Sequence, residues 1–370
     1  MVEIDKLPLP LYPEAAIVGD LHFGFKSGDV NFLDYQKSWL SEHLLPELQR
    51  RGIKVLIQTG DFFDIRKYMP LNVLDMVLNW LPEQLAKYGI EKLIVPAGNH
   101  DIFYRDSNSI SSVDLLKTLN SNMLEVMICK DTVGSCYLGG KKFAFVPYLS
   151  KNVKDKLLDE LFKMNDVTYV VAHLDVLDMP MMAGHLCEHG VDLDIFKQYQ
   201  RVISGHFHIP SESKNLTYTG APYHLNWGDV ADGLPRGYHI INAVTNELEF
   251  IPNPDFLTLF AVIEYDPEAK YAEDSFKENE GNIVKVLVKS KADEKHYKKF
   301  TKILAETKFI DYKIIDTSTV DVEKVVISEE VLSLDTISAL SSYIDLQGDD
   351  IDKDGLKRLA NEIYLEALNA

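Results

Sequence analysis

The sequence predicts an α/β (α+β) fold with two sheets over residues 1–255, followed by a small α/β unit and a helical pair. Three observations predict it. Short apolar runs alternate with amphipathic stretches. Several runs stop at a glycine followed by polar residues, and hydrophobic residues make up 46% of the chain, the proportion of a globular protein. The length, 370 residues, exceeds what one ordinary domain needs.

Apolar runs at 15–18, 55–58, 93–97, 143–146, 168–172 and 201–204 read as strands, because each is short, aliphatic and bounded by polar or turn residues. Helical patterns at 32–50, 71–88 and 111–119 lie between several of them. Further strands at 218–220, 238–242 and 247–251 supply a second sheet. The stretch 256–316 reads as an accessory domain, with strands at 256–265, 283–289 and 309–315 and a helix at 293–307. A polar linker at 317–328 leads to a terminal pair of helices within 329–370, joined by an acidic turn at 347–352. Val331, Leu334, Ile337, Leu340 and Ile344 recur at helical spacing, as do Leu356, Leu359, Ile363 and Ala367. That apolar face either folds back onto the body or docks a partner's coiled coil.

Composition excludes several classes. The chain has no charged and apolar leader and no apolar run long enough to span a bilayer, so a soluble cytoplasmic protein with no membrane contact is expected. Cys129, Cys136 and Cys187 are too sparse for a disulfide framework. Cys187 lies between His185 and His189, but the second half of a zinc site is missing, and the segment reads as a polar loop. His43, His224, His239 and His296 read as structural or solvated. The net charge of −19 is spread over the whole chain, so no basic clamp for nucleic acid stands out. Were DNA the substrate, metal ions, local basic patches or a partner would supply the attraction. Lys291, Lys295, Lys298, Lys299 and Lys302 form the densest basic patch, which either meets phosphates or is a solvated helix face.

Chemistry concentrates at the ends of five apolar runs. They lead into Gly19-Asp20-Leu21-His22, Gly60-Asp61-Phe62-Phe63-Asp64, Gly98-Asn99-His100-Asp101, the lone His173, and Gly205-His206-Phe207-His208. Ligands in α/β sheets gather beyond the carboxyl ends of strands, so these loops are expected to converge. The preceding glycines suit a sharp exit from a strand. Mixed carboxylate, amide and imidazole groups suit manganese, iron or zinc. Two such ions roughly 3.5–4 Å apart would clamp a phosphodiester and lower the pKa of a shared water. A single carboxylate would bridge them, and Asp61 is the candidate.

This order of motifs resembles the five-motif signature of the calcineurin-like metallophosphoesterases, over roughly residues 15–250. The resemblance implies a first ion on Asp20, His22, Asp61 and His208, and a second on Asp61, Asn99, His173 and His206. It makes His100 the general acid for the leaving oxygen, with Asp101 orienting it. GDFFDIRKYMP, VVAH, SGHFH and YTGAPYHLNWGD are similar to the SbcD-type DNA-end-processing nucleases, and the likeness to phage members of that branch runs over nearly the whole chain. That branch implies a two-sheet β-sandwich flanked by helices, two Mn2+ ions (with Mg2+, Fe2+ or Zn2+ as alternatives) and DNA as substrate. It further implies 3′-to-5′ double-strand exonuclease and single-strand endonuclease activities. Its partner would be an SMC-like, SbcC-type ATPase docked on the helices of 329–370, in a 2:2 complex built on a nuclease homodimer. Two alternatives share these motifs: a small-molecule phosphodiesterase or phosphomonoesterase, and a non-catalytic scaffold for DNA or the ATPase.

Overall fold

The computed structural model describes residues 12–182, 185–254, 258–291 and 293–316, with isolated positions between 340 and 360. The expected linker and most of the expected helical pair lie outside the described residues. The chain divides into two compact units, Met1–Leu225 with Leu234–Leu257, and Asn226–Gly233 with Thr258–Ala370.

The first unit begins with strands β1 (Glu14–Val18), β2 (Val55–Gln58) and β3 (Lys92–Pro96), then a hairpin, β4 (Ile102–Tyr104) and β5 (Ser107–Ser111). It continues through β6 (Glu125–Cys129), β7 (Gly134–Leu138), β8 (Lys141–Val146) and β9 (Val167–His173). A second hairpin, β10 (Pro180–Met182) and β11 (His185–Leu186), precedes β12 (Arg201–Gly205), β13 (Ser211–Ser213), β14 (Leu216–Tyr218), β15 (Gly237–Asn242) and β16 (Glu247–Pro252). One six-stranded sheet has the order β16-β15-β1-β2-β3-β6 and the other β13-β14-β12-β9-β8-β7. Pairing is parallel from β1 through β2 and β3 to β6. It is also parallel across β8, β9, β12 and β14. β15 and β16 at one edge of the first sheet, and β13 and β7 at the two edges of the second, pair antiparallel.

Strand periodicity decides what fills the space between the sheets. Ala15, Ile17, Val55, Ile57 and Ile94 of one sheet share a buried cluster with Phe143, Phe145, Tyr169, Val171 and Ile203 of the other, so the sheets pack face to face. The alternate residues Ala144, Val146, Val170, Ala172 and Val202 turn the other way, into a cluster with Leu157 and Leu161 of the helix Lys154–Lys163. Residues 30–51 are helical in three successive segments, with a π turn at Trp39–Leu44, and bury Leu40, Leu44 and Leu48 at four-residue spacing. Trp39 meets Tyr238 of β15, ring centres 6.2 Å apart. Residues 71–87 repeat the pattern with Val73, Val77, Leu81 and Leu85.

The architecture is the expected mixed α/β fold. Several elements differ in detail. The segment at 112–119 is a 3-10 helix. The strand expected at 218–220 lies earlier, as β14, because Gly220 turns the chain with φ 68°. Strands β4, β5, β6, β7, β10, β11 and β13 and the helix Lys154–Lys163 were not anticipated. No disulfide joins the three cysteines, which are free thiols. No described helix is long and apolar enough to cross a membrane.

The second unit holds β17 (Phe260–Glu264), β18 (Ile283–Val288) and β19 (Asp311–Asp316) in a parallel sheet of that order. Its helix Glu294–Glu306 is capped by the Asp293 side chain, which accepts from the N–H groups of Lys295 and His296. Phe300, Ile303 and Leu304 pack into a core with Tyr265, Tyr271, Val284 and Val286. The segment Asn226–Gly233 belongs to this unit, where Lys285 Nζ lies 4.3 Å above the Trp227 ring. The lysine-rich helix carries its own counter-charges: Lys298 is 3.7 Å from Glu294 and Lys302 3.7 Å from Glu306, while Lys291 pairs with Asp316.

Candidate metal centre

Five parallel strands reach the same edge of the sandwich with their carboxyl ends. β1, β2 and β3 lead to Asp20 and His22, Asp61, and Asn99 and His100; β9 and β12 of the other sheet end at His173 and lead to His206 and His208. The turns after these strands are sharp. Gly60 has φ 105°, and His22, Asp61 and His206 take left-handed values of 49°, 55° and 94°. Such conformations in residues with side chains cost about 1–3 kcal/mol each and cluster where function demands them.

Hydrogen bonds hold the turns. His22 N–H donates to the Asp61 carbonyl (3.0 Å) and Phe23 N–H to that of Phe62 (2.9 Å). His206 N–H donates to Asp20 Oδ1 (2.8 Å). Tyr223 O–H donates to the Leu21 carbonyl (2.6 Å), so the loop after β14 braces the first motif. The motif glycines serve close approach more than turning: a Cβ on Gly98 would stand 2.1 Å from Asp61 N, and one on Gly60 2.3 Å from His173 Nδ1.

The structure brings all seven expected ligands together. Asp61 Oδ2 lies 3.3 Å from His173 Nε2 and 3.7 Å from His22 Nε2, so one oxygen faces both halves of the site. In one half, His22 Nε2 and His208 Nε2 are 3.1 Å apart. In the other, the Asn99 side-chain amide reaches His173 Nε2 at 2.9 Å and His206 Nδ1 at 2.8 Å. Asp20 Oδ2 is buried with no hydrogen-bond partner.

The outward nitrogens fix what the inward ones can do. His22 Nδ1 donates to Asp64 Oδ1 (3.0 Å), His173 Nδ1 to the Thr59 carbonyl (3.0 Å) and His206 Nε2 to Asp175 Oδ1 (2.5 Å). Each neutral ring therefore presents a lone pair inward, beside carboxylate oxygens that also accept. Imidazole nitrogens 3.1–3.3 Å from one another and from the Asp61 carboxylate, beside the orphaned Asp20 Oδ2, call for a cation between them. This donor set of imidazole, carboxylate and amide fits divalent metal ions.

Charge points the same way. Burial alone would raise the Asp61 carboxyl, but the His173, His100 and His22 rings outweigh it and hold it well below the ordinary carboxylate range. Burial disfavours charged His22 and His173, yet neighbouring carboxylates push both up to about 9: Asp64 and Asp61 at His22, Asp61 and Asp20 at His173. The site attracts positive charge.

His100 and Asp101 differ from expectation in their relation to each other. The Asp101 carboxylate is engaged with backbone, accepting from Gly98 N–H (2.8 Å), Phe63 N–H (2.9 Å) and Phe62 N–H (3.2 Å). It ties the turn after β2 to the turn after β3 and does not orient the His100 ring. That ring's Nδ1 lies 2.7 Å from the Asp64 carbonyl oxygen, and its centre is 4.8 Å from that of His22.

Sequence reasoning placed Asp64 in the GDFFD motif without a role of its own and missed Asp175, Tyr148 and Arg66. Asp64 closes the GDFFD motif and Asp175 stands two residues past His173, the signals that mark them in retrospect. The Tyr148 ring lies 5.8 Å from that of His206, and Arg66 Nη2 reaches the Asn99 side-chain amide at 3.2 Å.

Comparison with known proteins agrees with this geometry. The family described as calcineurin-like phosphoesterase matches residues 15–210. The chain is 29% identical over 355 residues to Exonuclease subunit 1 of Enterobacteria phage T4, covering 95% of this chain and 98% of that protein.

Proposed function

Because the chain belongs to the calcineurin-like phosphoesterase family, we propose that it is a manganese-dependent DNA nuclease that hydrolyses phosphodiesters with two metal ions. One observation carries the reading: His22, His173 and His206 are anchored by their outer nitrogens, and the inner nitrogens of His22 and His173 face one shared Asp61 oxygen. Asp20, His22, Asp61 and His208 would hold one ion, and Asp61, Asn99, His173 and His206 the other. Divalent ions so held neutralise the phosphate and lower the pKa of bound water.

The protein's own groups supply the rest. Asp61 fixes the spacing of the two halves. The His100 Nδ1–H donates to the Asp64 carbonyl, so Nε2 would pass a proton to the departing sugar oxygen from the charged ring, which burial disfavours and the Asp61 carboxylate supports. Asp101 contributes by bracing the two turns that carry Asp61, Asn99 and His100.

The likeness to a phage exonuclease subunit supports DNA as substrate, with 3′-to-5′ exonuclease and single-strand endonuclease activities, and a role within a larger complex. In this reading residues 1–255 cut, 256–316 form a small accessory domain, and 317–328 link it to a helical pair at 329–370. That pair docks an SMC-like ATPase, in a 2:2 assembly in the cytoplasm of a host cell.

End-labelled duplex DNA incubated with the protein and manganese tests the core of this. Manganese-dependent shortening abolished by Asp61→Ala is expected. Hydrolysis of bis-para-nitrophenyl phosphate with single- and double-stranded DNA untouched would contradict the nuclease and leave a small-molecule phosphoesterase.

A further inference from the structure

Directly after Asp101 the chain enters the β4–β5 hairpin, which carries two exposed aromatic rings three and four residues beyond His100. Ile102 is buried at its root, while Phe103 and Tyr104 are 39% and 47% exposed. Neighbouring residues on a strand point to opposite faces, yet these rings meet edge to face at 4.9 Å. The pairing explains it: Ile102 pairs with Ser111 and Tyr104 with Ser107, so β5 carries two extra residues over that interval. A bulge of this kind re-aims side chains. The hairpin is well anchored. The buried Asn108 amide donates to the carbonyls of Lys130 (2.6 Å) and Tyr148 (2.8 Å), and the Ser111 hydroxyl to that of Asp101 (2.9 Å).

Positive charge lies alongside. Arg105 follows Tyr104 on the hairpin, and Arg66 stands two residues beyond the GDFFD motif. Arg66 in turn touches the Asn99 amide. In a chain of net charge −19, a guanidinium beside Asn99 and another on the adjoining hairpin mark a place for an anion.

We infer that Phe103 and Tyr104 form a stacking platform for unpaired bases beside the scissile phosphate, with Arg105 and Arg66 taking the neighbouring backbone phosphates. Apolar rings next to cations match the alternation of bases and phosphates in a single strand, whereas a duplex hides its base faces. This rests on the nuclease reading and adds to it the form of DNA that the site grips.

The test uses full-length protein with calcium in place of manganese and reads fluorescence anisotropy. The probes are a labelled thymidine oligonucleotide, the same strand with abasic sites, and a blunt duplex. The double variant Phe103→Ala with Tyr104→Ala should bind the strand about tenfold more weakly or worse, the scale of losing a stacked base. The abasic strand should bind the unaltered protein as poorly as the intact strand binds the variant. With manganese, the ratio of oligonucleotide cleavage to bis-para-nitrophenyl phosphate hydrolysis should fall in step, and tryptophan at both positions should restore it. Equal binding of abasic and intact strands, or full strand affinity in the double variant, would overturn the platform. So would a changed mass in light scattering with strand affinity unaltered, which would assign the rings to a protein partner. Unaltered protein that prefers the intact strand but cuts neither DNA nor the diester would sink the nuclease reading and leave the platform standing.

Discussion

Replacing Asp175 by Asn isolates one half of the metal centre. The carboxylate accepts from His206 Nε2 at 2.5 Å, while Nδ1 of the same ring faces Asn99 and His173. A charge-assisted hydrogen bond contributes about 1.5–3 kcal/mol. The Asp175 side chain is 31% exposed, so solvent screens part of this and the lower end, about 1.5–2 kcal/mol, applies. Asn keeps an acceptor oxygen and with it the ring's tautomer, but it gives up the charge that makes Nδ1 a stronger ligand. At about 1.4 kcal/mol per factor of ten, the ion on His206 should bind roughly tenfold to thirtyfold more weakly. The ion on His22 should keep its affinity, because its orienting carboxylate is Asp64. Manganese titration followed by electron paramagnetic resonance reads the two classes separately. Turnover of bis-para-nitrophenyl phosphate should return as manganese is raised. Equal weakening at both positions would mean that Asp175 acts through the fold as a whole. Lost turnover at saturating manganese, with both affinities intact, would place it in the chemistry itself. Either result refutes the reasoning.

Three further outcomes are expected. Asp61→Ala should release both ions together in a metal analysis of the dialysed protein, and retention of one ion would contradict a shared oxygen. Gly60→Ala puts a Cβ 2.3 Å from His173 Nδ1 at φ 105°. Backbone strain and overpacking together cost about 2–4 kcal/mol, so calorimetry should show a melting point lower by roughly 5–15 °C, and an unchanged one would deny the close approach. His239 is buried on β15, its Nδ1 lacks a hydrogen-bond partner, and burial followed by the Arg201 charge pushes it down to about 4. The unfolded ring takes up its proton near pH 6.5 and the folded ring only near 4, so stability falls as pH drops through that window, by up to about 3 kcal/mol. His239→Phe, which keeps a ring against Phe250, should flatten this part of a denaturation profile, and an unchanged acid slope would contradict the assignment.

The five strands that carry the site were legible because parallel strands buried on both faces read as unbroken apolar runs, and each run ended in the residues that converge. The orienting roles of Asp64, at the end of its motif, and Asp175, two residues past His173, were not, because such a carboxylate looks like any surface acid until the neighbouring imidazole's rotation is known. Asp101 shows the opposite failure. Its place beside His100 suggested a side-chain partnership, but three backbone N–H groups claim the carboxylate first. Among the unexpected elements, the helix Lys154–Lys163 buries only Leu157 and Leu161, too thin a stripe to stand out. Strand β7 buries only Leu138, as an edge strand does, and so offers no apolar run. The β4–β5 hairpin was hidden by its bulge, which breaks the alternation that a strand normally shows.

The site draws on three strands of one sheet and two of the other, so whatever binds there also fastens the two sheets along one edge. Any breathing motion that parts the sheets at that edge has to surrender ligands. A loaded chain thus resists such opening by RT ln(1 + [L]/Kd) for each ion it holds. The durability of the protein against proteases is then tied to the metal supply of the cell, and scarcity of that metal would shorten its lifetime as well as stop its chemistry.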